Sequence, residues 1–236
     1  MMYRDNNIEA LITCRSVLPY LKNDLTLLSS ENYGRDFVQH VHTRINTLPS
    51  RIRVSRGARR NQREVQCRGG CQATETAAHV IQCCWRTHGG RVLRHNAVAD
   101  RFTSELQAKG WTVVSEPHIQ TTMGLRKPDI VASREQKGLV LDVQIVSGAQ
   151  PLSQHQVKAA KYDDPDILRY VSTTMDIPPE ATSFSSCTIS WRSIWAAESY
   201  RDLVSLGLSA RFLEGLTTRV LQGSHTNWSR FNQMTA

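Results

Sequence analysis

The sequence predicts an α/β fold across residues 90–190, a mixed sheet with flanking helices, and three observations carry that expectation. A helical stripe comes first: Val92, Val98, Phe102 and Leu106 recur at helical spacing until Gly110 stops them. Short apolar runs bounded by turn residues come next, and read as strands at Trp111–Val114, Ile119–Met123, Lys127–Ala132 and Leu139–Val146. The charged turn Ser133–Gly138 lets the last two pair antiparallel. A second helix then spans 152–163, with Ser153 as its N-cap. Ile167–Thr173 reads as a further strand and Cys187–Ser190 as a short one. Two helices close the chain, 192–206 and 209–222, divided near Gly207. There is no internal repeat and no long low-complexity tract.

The N-terminal side is organised differently. Residues 1–48 form a helical linker segment, marked by Ile8, Leu11 and Ile12 and by Phe37, Val41, Ile45 and Leu48 at three- to four-residue spacing. Pro49 ends it. A basic linker covers 49–66, where Arg51, Arg53, Arg56, Arg59, Arg60 and Arg63 precede the first acid, Glu64. Such a run repels itself, and nucleic-acid phosphates are its natural counterions; a solvated linker is the alternative. The whole chain carries a net charge of +8, which favours a polyanionic partner but would also suit many proteins that bind none. No apolar run approaches the roughly 18 residues of a membrane span, and the start MMYRDNNIEA lacks a secretory signal, so an intracellular protein without a membrane role is expected.

Four of the six cysteines lie between 67 and 84, in CRGGCQATETAAHVIQCC. Cys67, Cys71 and His79, with Cys83 or Cys84, can converge as a tetrahedral zinc site. His79 and Cys83 are four apart on one helical face, which favours Cys83; a looser loop permits Cys84. With His79 in the cluster and no signal sequence, ligation is a better account than disulfides. The zinc would be structural, because protein fills all four positions. The alternative is a set of reduced cysteines in a small core.

The segment KPDIVASREQKGLVLDVQIVS places Asp129 at a strand start and Asp142 inside an apolar strand. A carboxylate within LVLDVQIV is costly unless ligated or paired. Antiparallel pairing brings the two acids together, where Mg²⁺ or Mn²⁺ would relieve their repulsion and activate water for phosphodiester hydrolysis. The simplest nuclease motif has a lysine two residues beyond the second acid; here Gln144 stands there. Lys161, beside Tyr162, is the preferred replacement from the next helix, with Lys158 as the alternative. The bland reading makes both lysines a solvated face and Asp129 a turn residue. It accounts poorly for Asp142.

These motifs, in this order, resemble the carboxy-terminal part of polyproteins from site-specific non-LTR retrotransposons that insert into ribosomal RNA genes. The resemblance rests on INTLPSRIRVSRGARR, on Cys67–Cys84, on RHN at 94–96 and on KPD at 127–129. Asp142, Lys161–Tyr162 and the tail RVLQGSHTNWSRFNQMT complete it. It implies a CCHC zinc knuckle over 67–84, a restriction-like PD-(D/E)xK endonuclease core over 90–190 and a C-terminal helical extension over 191–236. It implies Cys84 as fourth zinc ligand, Asp129 and Asp142 as metal-binding catalytic acids, and Lys161 as displaced catalytic lysine. Arg94 and His95 match an RHD-type motif with Asn96 in place of the acid, which makes Arg94 a DNA-contact residue and His95 a DNA-contacting or site-organising one. Glu105 or Glu116 could add a carboxylate. The implied activity, exercised in the nucleus, is nicking of double-stranded target DNA, so that an upstream reverse transcriptase domain copies element RNA from the exposed 3′ hydroxyl; second-strand cleavage is also implied. No YxDD stretch occurs, and 1–66 is too short for a polymerase palm. Rival expectations are a non-enzymatic nucleic-acid-binding module and a purely structural zinc protein.

Overall fold

The computed structural model describes residues 33–55, 62–148 and 151–236. Ile8, Leu11, Ile12, Arg56, Arg59 and Arg60 lie outside them. Helices α1 (Tyr33–Arg44) and α2 (Arg51–Val54) lead to α3 (Ala77–Gln82) within the Cys/His segment, then to the long α4 (His88–Ala108). Gly110 ends α4 as expected: it takes φ +80°, and the next amide, Trp111, bonds back to Leu106 O at 3.0 Å. Val98, Phe102 and Leu106 are buried, but Val92 is 44% exposed, so the core-facing stripe starts later than its spacing suggested.

Strands β1 (Thr112–Ser115), β4 (Ile130–Arg134), β5 (Lys137–Val146) and β6 (Thr182–Ser190) form a four-stranded sheet in the order β1-β4-β5-β6. The first two pairings are antiparallel and β5–β6 is parallel, so the sheet is mixed. A separate hairpin pairs β2 (Ile119–Thr121) with β3 (Gly124–Arg126), so the strand expected from Lys127 starts only at Ile130, after Pro128.

The parallel β5–β6 pair needs a crossover, supplied by α5 (Pro151–Tyr162) and α6 (Pro165–Met175). Here the sequence expectation of a strand over Ile167–Thr173 fails. Asp164 caps the Asp166 amide, Pro165 presets the first turn, and Ile167 and Val171 bury one face four residues apart. The β-branched and aromatic residues had suggested a strand, but the cap and proline start a helix.

Helix α7 (Ala197–Ser205) begins five residues later than expected, after a turn in which Trp191 and Ser193 are buried. Helix α8 (Ala210–Met234) runs twelve residues past its expected end at 222, burying Ser224, Asn227, Trp228 and Phe231. Gly223 does not break it. A Cβ there would stand 2.6 Å from Arg94 Cγ, so glycine is what lets α4 and α8 close on each other.

Two cores flank the sheet. Leu139, Leu141 and Val143 of β5 pack with Val98 and Phe102 of α4 and Leu213, Leu216 and Val220 of α8. On the other face Val131 and Val140 meet Tyr162, Ile167 and Val171. A third cluster joins Cys67, Cys84, Val80 and Ile81 to Leu48, Trp191, Trp228 and Phe231. Among the described residues, no helix is long and apolar enough to cross a membrane.

Candidate carboxylate site and Cys/His metal centre

The β4–β5 register pairs Ile130 with Leu141, so Asp129 and Asp142 are the next opposing pair, just beyond the ladder. Directly opposed residues share a face, and here it is the face covered by α5. Asp129 Oδ2 accepts the Val143 amide at 2.6 Å. Asp142 is 3% exposed; its Oδ1 accepts the Tyr162 hydroxyl at 2.7 Å, and its Oδ2 lies 2.7 Å from Lys158 Nζ. Burial raises the Asp142 pKa, Lys158 opposes the rise, and the nearby charge of Asp129 adds to it.

The lysine at this site is Lys158, which corrects the preference for Lys161. Successive residues turn a helix by about 100°, so the inward stripe of α5 centres on His155 and Tyr162, with Lys158 near its edge and Lys161 well round the side. Lys161 is exposed, with its ammonium 5.0 Å from the Tyr162 ring centre.

His95 reaches the site from α4. Its Nε2 lies 3.3 Å from Asp129 Oδ2 and 3.0 Å from Val143 O, and its Nδ1 lies 3.3 Å from Asn96 Oδ1. Asp129 holds the imidazole protonated, against the burial that would discharge it, and pushes its pKa up to about 9. Glu105 is occupied by Lys109 at 3.5 Å. The exposed Glu116 pairs with Lys127 at 3.6 Å, while its backbone amide bonds Asp129 O at 2.8 Å.

The second centre gathers Cys67, Cys71, His79 and Cys84, whose donor atoms all lie within 4.8 Å of one another. Cys84 Sγ is 3.8 Å from Cys67 Sγ and 3.7 Å from Cys71 Sγ. Tetrahedral thiolates bound to zinc at about 2.3 Å would stand about 3.8 Å apart. His79 Nε2 is buried without a hydrogen-bond partner, an orphaned donor site that a metal would satisfy. This Cys₃His group therefore could hold zinc. Burial raises the Cys84 pKa to about 12 and the Cys67 pKa as well, so without a cation these thiols stay protonated. The helical-face argument for Cys83 fails because α3 ends at Gln82; Cys83 is its exposed C-cap, and the next residue turns inward.

No protein-family model matches this chain. It is 42% identical over 200 residues to the Retrovirus-related Pol polyprotein from type-1 retrotransposable element R2 of Nasonia vitripennis, 84% of this chain. It is 38% identical over 193 residues to that from type-2 element R2DM of Drosophila melanogaster, and 36% over 203 residues to that from type-1 element R2 of Bradysia coprophila. The chain is homologous to R2 retrotransposon Pol polyproteins. It spans only 18–23% of the length of these three R2 relatives.

In this R2 homologue the residues that sequence reasoning missed lie behind the acids. Gln144 Nε2 donates to Thr188 Oγ1 at 2.7 Å and to Gln154 O at 3.0 Å. Thr188 Oγ1 is 2.7 Å from Ser186 Oγ, which is 2.8 Å from His155 Nδ1; His155 Nε2 lies 3.4 Å from Asp202 Oδ2. Ser186, His155 and Asp202 copy the connectivity of a nucleophilic triad, but Ser186 is fully buried and offers no access to substrate. The set instead fixes α5 against β6. The polar alternation of Ser186 and Thr188 in SSCTIS was the available signal, and it needed the parallel pairing of Asp142 with Ser186 to be interpretable.

Arg94 is largely buried rather than displayed on the surface. It is 5% exposed, donates to Ser224 Oγ at 2.7 Å and contacts Gln82 Oε1, so it bolts α3 and α8 to α4. Burial pushes its pKa down to about 9. Among the basic-linker residues, Arg51 donates to Gln66 O and Arg53 to Asn46 O, each at 3.1 Å, while Arg63 falls in the short 3-10 turn Gln62–Val65.

Proposed function

We propose that this chain is a metal-dependent DNA endonuclease with a restriction-like PD-(D/E)xK core and a zinc knuckle, working as the carboxy-terminal part of an R2-type Pol polyprotein. The supporting observation is the meeting of Asp129, Asp142 and Lys158 at one end of the β4–β5 hairpin. Asp129 and Asp142 would hold Mg²⁺ or Mn²⁺. The donor set fits a hard cation: two carboxylates oppose each other, and the charge of one raises the pKa of the other. Such a cation, when bound, polarises a phosphoryl oxygen and lowers the pKa of water.

The chain's own groups have separable tasks. The Lys158 ammonium supplies positive charge where phosphoryl oxygens gain negative charge. It does so from the next helix, which accounts for Gln144 at the usual lysine position. Tyr162 fixes the Asp142 carboxylate by donating to Oδ1. His95 and the Val143 amide orient Asp129, so His95 is a site organiser in this reading. Cys67, Cys71, His79 and Cys84 would hold structural zinc.

For the parent polyprotein the proposal is nicking of double-stranded target DNA in the nucleus, followed by copying of element RNA by an upstream reverse transcriptase domain. The test is nicking of supercoiled plasmid with Mg²⁺ or Mn²⁺, native chain against Asp142→Ala. Metal-dependent nicking lost in Asp142→Ala is the expected result. Equal nicking by both proteins would defeat the active-site assignment. DNA binding without nicking by either would favour the non-enzymatic module.

A further inference from the structure

His88, Arg91 and His95 follow one another at intervals of three and four, so they stand on one face of α4. That face begins at the Cys/His centre, where Arg91 Nη1 donates to Cys84 O at 2.7 Å. It ends at the carboxylates, where His95 meets Asp129. Between them runs a groove of about 340 Å³, walled by α4, by Gln82 at the end of α3 and by Ile145 of β5. Its lining includes His88, Arg91, Arg94 and His95 and, among the described residues, no carboxylate. Among the described residues, the buried Arg94 guanidinium in its wall has no acidic partner. A cleft of one charge sign with low-dielectric walls focuses its field on an anion. The volume sits at the small end of ligand sites, roughly 300–1,000 Å³, which suits one nucleotide unit and excludes a duplex. Val92 stands in the same groove, 44% exposed, an apolar surface for a sugar or base.

We propose that this groove binds a single nucleotide of the DNA strand beside the cleavage position, with its phosphate against His88 and Arg91, and so joins the Cys/His centre to the carboxylate site. The position relative to cleavage rests on the endonuclease reading; the anion groove does not. The test uses the full, zinc-loaded chain and a short fluorescent DNA duplex with single-stranded ends. Calcium replaces magnesium, so that binding is read without cleavage. His88→Glu and Val92→Glu each place a carboxylate in the groove; Val204→Glu on α7, at a residue 43% exposed, is the surface control. Both groove variants are expected to raise Kd about tenfold or more and the control less than about twofold, with zinc content and Tm unchanged in all three. In plasmid nicking, Val92→Glu is expected to raise KM about tenfold with kcat within about threefold. Groove variants that bind like the control would overturn the proposal. A chain that binds through the groove yet never nicks would defeat the endonuclease reading and leave the groove standing.

Discussion

The two polar centres of this R2 homologue are built on opposite principles. At the carboxylate site, packing supplies the compensation: Lys158 and Tyr162 answer Asp142, and His95 and the Val143 amide answer Asp129. At the Cys/His centre, packing gathers three thiols and an imidazole and leaves the imidazole Nε2 orphaned. One centre keeps its shape with its own charges. The other needs a cation to justify its geometry. The lesson is that a metal would contribute differently to them: at the first it would add chemistry, and at the second folding free energy.

That contrast can be broken most severely at Cys84. Cys84→Ser should abolish stoichiometric zinc binding and lower Tm by about 10 °C or more, since Cys84 also sits in the cluster with Trp228 and Phe231. Cys83→Ser should shift Tm by less than about 2 °C. Zinc analysis and thermal melts check both, and equal effects would erase the distinction between the two residues.

Next in size is Glu75, the fully buried carboxylate that braces the Cys/His loop by accepting from the Arg51 and Arg68 amides and from the Arg68 side chain. Removing its charge with Glu75→Gln should cost about 1–3 kcal/mol, because an amide NH2 then replaces one of the buried oxygens that accept from Arg68. Burial by itself would raise the Glu75 pKa, but the Arg68 contacts outweigh it and hold it below its ordinary value of 4.5. The stabilisation is therefore full above about pH 4.5 and lost as pH falls through the lower, folded value. The Tm gap between native and Glu75→Gln chains should close over that acid range.

A smaller effect separates the lysines. Lys158→Ala should slow plasmid nicking about 100-fold, the scale for losing one electrostatic stabiliser, and should lower Tm as well, because the buried Asp142 loses its ion-pair partner. Lys161→Ala should slow it less than about threefold. Reversal of that order would restore Lys161 as the catalytic lysine. Smallest is the support behind the site: His155→Ala should reduce nicking about tenfold and cost about 1 kcal/mol, because Ser186 loses the imidazole and keeps only Thr188. His155→Gln should recover part of the rate if the role is positional.

What the sequence disclosed follows from how local each signal is. Asp142 stood out because a charge inside LVLDVQIV has only a few physical explanations, and the turn at 133–138 already implied its antiparallel neighbour. The end of α4 at Gly110 was equally local. The burial of Arg94 was illegible because it depends on Gly223, more than a hundred residues away. Lys161 was preferred over Lys158 until Tyr162 and His155 defined which side of α5 faces the sheet. The network through Gln144 was illegible for the same reason: Ser186 and Thr188 acquire meaning only through the parallel register of β5 with β6. Residues 167–173 failed for a local reason, an N-cap and a proline given too little weight against β-branched composition.

The packing of Cys67 and Cys84 against Trp228 and Phe231 also dictates an order of events during synthesis. Cys67, Cys71, His79 and Cys84 emerge from the ribosome long before the end of α8, by about ten seconds at ordinary elongation rates. In that interval a metal held by the loop would stay unburied, and its thiols remain open to oxidation. Burial of the Cys/His centre is thus a late docking step, and a ribosome that stalls before Trp228 would release a chain whose Cys/His loop is still open.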